Sequence, residues 1–398
     1  MEHLPVEVIG NILSRLGAAR DIVIASATCR KWREAFCYHL HTLSFNSKDW
    51  PLYHDLTTSQ FEILISQTLL QTTRLQGLSI SMDEVGEFSV SMVISWLMRS
   101  KETLRSSLFY NVRTTSNVNI LVIYERSKLE TLFLAHNSIT GISALDLSLL
   151  LTACPKIEIL DLVNLEIAMS DTQDKVELRS PTLKSICVEQ ISLDEFILEA
   201  DSLERLHLKY CELKLIKLVG KGTLKQLVID DVTSIHFDIG ETLENLEVVD
   251  IYDFTIIWPQ FYKMISRSSK LRRLRLWDVF FDDNNEIVDL ETFAVCFPQL
   301  SHLSLWYVFL RDGVHYALPG SSHLENVIEM ELGWTTINEL FPDWVEGLVK
   351  RCPNLRKLVI HGQDMDSEET EECMRLTSLI KHLINDKYEH VEVQLAYT

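Results

Sequence analysis

The sequence predicts an α/β solenoid, a stack of short repeats whose strands join into one curved parallel sheet. Three observations predict it. The pattern Leu-x-x-Leu-x-Leu recurs along most of the 398-residue chain, most clearly as Leu129-x-x-Leu132-x-Leu134-x-x-Asn137. Further copies read Leu203/Leu206/Leu208, Leu271/Leu274/Leu276, Leu300/Leu303/Leu305 and Leu355/Leu358/Ile360. Segments with apolar residues three and four apart lie between several copies, as helices packed behind a sheet would. A unit this short cannot bury its apolar face alone, whereas stacked units share a continuous core.

Taken in order, residues 1–40 stand outside the repeat. Leu4-Pro5-x-Glu7 opens a helix, because the missing N–H of Pro would be unpaired in a first turn anyway. Val8, Ile9, Ile12, Leu13 and Leu16 follow at helical spacing, and Gly17 ends the helix. Asp21 begins a second helix with Ile22, Val23 and Ala25, and a third carries Cys29, Trp32, Arg33 and Phe36. Three such helices are too small to be stable alone and need a first repeat, or a partner, to cover them.

Residues 41–363 carry the repeats. The first apolar positions are Leu40, Leu75, Leu104, Leu129, Ile157, Leu183, Leu203, Leu224, Leu243, Leu271, Leu300, Val327 and Leu355. Most of their spacings lie between 20 and 29 residues, the range of leucine-rich repeats. The copy at Leu104 is irregular, because the next apolar residue is Leu108 rather than position 107. Longer repeats leave room for helices at 61–70, 88–98, 142–154, Asp289–Val295 and 344–352. Cys154-Pro155, Phe297-Pro298 and Cys352-Pro353 mark their ends, since a residue before Pro resists helix. Between 183 and 243 the spacing is near 20, so short turns are expected to link the strands. In residues 364–398, Asp366 is expected to cap a helix with Glu369 three residues on. Leu376, Leu379, Ile380 and Leu383 give that helix one apolar stripe, and the strand Val391-x-Val393-x-Leu395 closes the sheet.

Composition narrows the function. Hydrophobic content of 46% and charged content of 24% suit a folded soluble chain. A net charge of −20, from 57 acids against 37 Lys and Arg, argues against general nucleic-acid and anionic-membrane binding. No apolar run approaches a bilayer span, and MEHLPVEVIG lacks the basic start of a signal peptide. The eight Cys are scattered without CxxC or zinc spacing, so reduced thiols and a nuclear or cytoplasmic setting are expected. No nucleophile elbow, P-loop, HExxH or dinucleotide motif occurs, and no cofactor is implied. A solenoid offers a long surface and rarely a catalytic pocket, which points to binding.

The first forty residues resemble an F-box. The match is LPxExxxxILxxL from Leu4 to Leu16, then Asp21-Ile22-Val23, then Cys29-Arg30-Lys31-Trp32-Arg33, all in order. Ala27 and Thr28 depart from the bulkier residue the family often has before the Cys. The rest is similar to the leucine-rich-repeat arm of plant F-box proteins. The resemblance implies a non-catalytic subunit of an SCF-type ubiquitin ligase. Its head would dock on a Skp-type adaptor, which bridges to a cullin and a RING protein. Leu4, Pro5, Val8, Ile9, Ile12, Leu13, Leu16, Ile22, Cys29 and Trp32 would form that dock. The arm would hold a protein substrate. Two other roles fit the same pattern: a scaffold outside any ligase, and a receptor completed by a small molecule.

On the strands, residues alternating with the leucines face the concave side. Arg273, Arg275 and Trp277 do so in one repeat and His302, Ser304 and Trp306 in the next. Two exposed tryptophans one strand apart, flanked by Arg, are a candidate hot spot for the substrate, with Trp334 at its border. Arg205, His207 and Lys209 form a basic row suited to an acidic or phosphorylated peptide. Glu247 and Arg275 are expected to make a cross-strand pair.

Overall fold

The computed structural model describes residues 4–82, 87–112, 128–135, 144–165, 175–238, 243–281, 287–307, 309–310, 313–314, 316–317, 319–334, 339–362 and 367–397. The chain forms two compact units. The first comprises Met1–Leu203, Cys211–Gly220 and Ile235–Asp238, and the second Glu204–Tyr210, Lys221–Ser234 and Ile239–Thr398. Asn137 and Asp366, expected at a repeat corner and a helix cap, lie outside the described residues, as does the side chain of Glu369.

The first unit begins with three helices, α1 (Val6–Leu16), α2 (Ala19–Ser26) and α3 (Arg30–His39). Gly10 lets α1 approach α3, because a Cβ there would strike the backbone and Cβ of His39. The head is bonded to the first strand, β1 (Thr42–Asn46): Ala18 bridges to Ser44 in parallel. The His41 N–H donates to Ser14 Oγ at 3.0 Å, and Thr42 Oγ1 donates to the Ser14 carbonyl at 2.9 Å. Arg20 lies over the Trp50 ring, 5.6 Å from its centre. These contacts pack the head directly on the first repeat within the first unit.

After β1 come β2 (Gly77–Ser81), β3 (Ser106–Tyr110), β4 (Thr131–Ala135) and β5 (Ile159–Val163), all parallel neighbours in that order. The helices α4 (Thr58–Gln71), α5 (Val90–Ser100) and Ala144–Ala153 occupy the longer repeats, near the stretches the periodicity predicts. Thr57 and Gln60 cap α4 reciprocally, satisfying two donors that a helix start leaves free. Behind the sheet, Tyr53, Phe61, Phe88 and Trp96 form a chain of ring contacts 4.9–6.5 Å apart. The indole N–H of Trp96 donates to Ser66 Oγ at 2.8 Å. The irregular repeat keeps its register. Ser107 takes the leucine slot, opposite Leu78 and Leu132, while Leu108 turns to the other face. Ser107 is fully buried and its hydroxyl lacks a hydrogen-bond partner.

Where short turns were expected, the chain builds a second parallel ladder. β6 (Lys175–Arg179) pairs with β8 (Ser192–Glu199), and β8 with the later part of β9 (Arg205–Val219). The strand β7 (Ser185–Glu189) meanwhile continues the main sheet beside β5. The reason is a second alternation that the spacing argument overlooked. Ile191, Leu193, Phe196 and Leu198, then Cys211, Leu213, Ile216 and Leu218, all face the core. The corner after β7 is Gln190 at φ 54°, and the corner within β9 is Tyr210 at φ 50°, left-handed conformations held by non-glycine residues. The Glu177 N–H on β6 donates to Ser148 Oγ at 2.8 Å, so the ladder's edge is joined to helix Ala144–Ala153.

In the second unit the first part of β10 (Gln226–Asp238) pairs in parallel with β11 (Val248–Ile256), and β11 pairs in parallel with β12 (Arg273–Phe281) from end to end. Two short ladders follow: β13 (Val288–Asp289) with β17 (Tyr316–Ala317), and β15 (Phe309–Leu310) with β16 (Gly313–Val314). The main sheet continues from β12 through β14 (His302–Tyr307), β18 (Glu329–Trp334), β19 (Lys357–Gly362) and β20 (Glu392–Tyr397). Helices Trp258–Ile265, Glu291–Cys296 and Phe341–Arg351 pack behind it. Helix Ser367–Lys387 precedes the last strand and buries Leu376 and Ile380, whereas Leu379 stays exposed. One register differs from expectation. Leu227 and Ile229 lie opposite Val249 and Ile251, so the repeat begins at Leu246, not Leu243. Leu243 is also buried, and its side chain supplied a misleading match.

Candidate functional site

Two surfaces answer to the sequence-predicted sites. The first is the head. Its helix α1 is apolar on two sides. Ile9 and Leu13 are 0% exposed and belong to the core of the head, as does Ile22 of α2. These three do not form a surface, contrary to the expectation that placed them in a dock. Val8, Ile12 and Leu16, at helical spacing of four, remain 37–45% exposed. Val23 and Ile24 of α2 are exposed as well. Pro5 and Cys29 are exposed, and Leu4 and Trp32 half-buried. Val23 and Ile24 were not singled out from the sequence as dock residues. The signal was present, since Ile22-Val23-Ile24 is apolar all round, more than a helix covered on one side requires. The result is an apolar strip on α1 and α2 whose opposite side is sealed by α3 and β1.

The second surface is the face of the sheet opposite the helices in the second unit. Trp277 and Trp306 meet edge to face, ring centres 5.0 Å apart. They are only 7% and 6% exposed, so the expected pair of exposed rings is instead a small core of its own. Gly333 makes this possible. It lies opposite Trp306 on β18, and a Cβ there would collide with the Trp306 ring. The indoles therefore lie across the strand, and Trp277 reaches His361 at 5.0 Å. Arg275 stacks on Trp277, 4.7 Å from the ring centre. The side chain of Trp334 lies outside the described residues.

The charged groups on this face largely satisfy one another. Asp250 lies opposite Arg275 in register and sits 3.8 Å from its Nε and 3.9 Å from Arg273 Nη2. Glu247 is not Arg275's neighbour, because the repeat begins three residues later than expected. Burial pushes the Asp250 carboxyl above the usual range, and the two guanidiniums oppose that shift. His302 Nε2 is 3.0 Å from Glu329, and Ser304 donates to Glu331 at 3.0 Å. In the basic row, Arg205 is exposed, while Lys209 Nζ is 3.6 Å from Asp230. Burial holds His207 below the ordinary imidazole range, and the Lys209 charge adds to this. His361 is held down by burial too. Two polar atoms beside Trp277, Arg275 Nε and His361 Nε2, are buried without a hydrogen bond. Ser301 Oγ lies 2.8 Å from His302 Nδ1, so the same ring bridges a hydroxyl and the Glu329 carboxylate. Among the described residues, no group of His, Cys, Asp and Glu is placed to hold a metal ion.

Comparison with known proteins places this geometry. Residues 1–42 match the F-box-like family model. Over its full length the chain is similar to an F-box/LRR-repeat protein of Arabidopsis thaliana, 58% identical over 419 aligned positions, with 100% of each chain covered. An F-box-like head and a leucine-rich-repeat arm of stacked parallel strands meet in one chain, which thus belongs to the F-box/LRR-repeat protein family.

Proposed function

We propose that this chain is the substrate-recognition subunit of an SCF-type cullin-RING ubiquitin ligase. The head docks on a Skp-type adaptor, the adaptor joins it to the cullin and RING protein, and the arm binds the protein to be ubiquitinated. The observation that carries this reading is the strip of Val8, Ile12, Leu16, Val23 and Ile24, exposed on a head whose other side is core. An uncovered apolar strip of this kind marks a protein interface. The chain itself has no catalytic step. It raises the local concentration of the substrate beside a charged conjugating enzyme, and a head bonded to β1 holds the two at a fixed offset. Its work lies in the nucleus or cytoplasm, where thiols such as Cys29 and Cys37 stay reduced.

Affinity purification of the intact chain tests this. The adaptor and cullin are recovered with the natural sequence and lost with Ile12→Asp. Equal recovery with both, or with neither, overturns the ligase reading.

A further inference from the structure

Because the sheet of the second unit is occupied by its own ion pairs and its own indoles, a different surface is left open. On β1–β4 none of the twelve positions that alternate with the core residues is charged. At the chain-wide 24% about three would be. The equivalent twelve positions on β11, β12, β14 and β18 carry five charges: Asp250, Arg273, Arg275, Glu329 and Glu331. On the first unit the central row runs Ser44, Ser79, Leu108, Phe133 across four neighbouring strands, and all four are half-buried rather than sealed. Hydroxyls therefore flank an apolar centre, the anatomy of a protein interface. The serine that displaces Leu108 to this face at the irregular repeat is what enlarges that centre.

From this we infer that the open face of β1–β4 binds an extended polypeptide segment without charged side chains, in which apolar residues alternate with small polar ones. The inference names the class of substrate for the receptor proposed above and rests on that reading only for the occupant's role. The argument is electrostatic. A charged segment laid here loses hydration and finds no counter-charge on these four strands, Asp161 beside Phe133 on β5 marking the border, whereas hydroxyls and amides exchange hydrogen bonds with the serines. A neutral segment is also indifferent to the −20 net charge of the whole chain. The position suits a client, since β1 is bonded directly to the head through Ala18 and Ser44.

Selection from a displayed library of random twelve-residue peptides on the immobilised full chain tests it. Sequences poor in Asp, Glu, Lys and Arg are expected to rise at least tenfold over the input. Ser79→Lys or, independently, Ser106→Lys should abolish that enrichment, while Arg273→Ala on the other unit leaves it unchanged. Thermal melts establish that both lysine variants fold. No enrichment, charged winners, or winners that survive both lysine variants overturn the inference. Adaptor capture, measured on the same preparations, separates this from the ligase reading. Loss of adaptor binding in the natural sequence refutes the ligase and leaves the peptide result standing, and the converse holds equally.

Discussion

Adjacent residues on α1 should fail in opposite ways, and the structure sets the sizes. Val8, Ile12 and Leu16 keep 40%, 37% and 45% of their surface in water, together a little more than one whole aliphatic side chain. Covering that much apolar surface contributes about 2 kcal/mol to adaptor binding, of which Ile12 supplies roughly a third. Ile12→Asp removes that share and sets a carboxylate into a dry contact at a cost of about 3 kcal/mol or more. The sum is near three decades in Kd at about 1.4 kcal/mol per decade. The fold barely notices, because exposed substitutions change stability by about 0.5 kcal/mol or less. Leu13 is wholly buried. Leu13→Ala should cost about 2–5 kcal/mol of stability through lost burial and the cavity left behind. Calorimetric titration against purified adaptor, with denaturant unfolding of each variant, separates the two effects. If Ile12→Asp binds within threefold of the natural chain, or Leu13→Ala loses less than about 1 kcal/mol, the division of α1 into a docking side and a core side is wrong.

Three further outcomes follow from particular contacts. Ser107→Ala removes a fully buried hydroxyl that has no partner, and should stabilise the chain by about 1 kcal/mol, read as a higher denaturant midpoint. A lower midpoint would show that the hydroxyl is satisfied. Gly333→Ala forces a methyl into the Trp306 ring and should cost about 1–3 kcal/mol, accompanied by a changed tryptophan fluorescence spectrum. Acid should weaken the second unit through His207 and His361. Both imidazoles are held below their ordinary value in the folded chain, so above the unfolded pKa neither state binds the proton and nothing changes. As pH falls below about 6.5 the unfolded chain takes up the proton first, and stability drops until the folded pKa values are passed. Unfolding midpoints between pH 7.5 and 5.5 should therefore decline, and His207→Gln with His361→Gln should flatten the curve. An unchanged slope in the double variant refutes this assignment.

Much of the fold, and less of the candidate site, was legible in the sequence, and the misses share a cause. Leu-x-x-Leu-x-Leu announces a strand with an inward side, since side chains alternate along it, and twelve of the thirteen first positions stand at the start of their repeats. Leu243 misled because a buried leucine three residues early looks the same in a pattern. Only strand pairing distinguishes it from Leu246, and the slip carried Glu247 into the place of Asp250. The short repeats misled because a spacing near 20 fits either a turn or a second strand. The alternation at Leu193, Phe196 and Leu198 decides for the strand.

The sequence by itself determined the repeat, the family of the head and the periodicity of α1, because each depends on spacing along the chain. Which side of α1 faces water was decided only by where α3 and β1 press against it. Whether Trp277 and Trp306 project or lie flat was decided by Gly333, a residue two strands from Trp277 and invisible to any local pattern. The charges around them read as a binding row in one dimension, and became mutual partners once neighbouring strands stood about 4.8 Å apart. Exposure and pairing are properties of neighbours across the sheet, and the order of residues along a chain does not contain them directly.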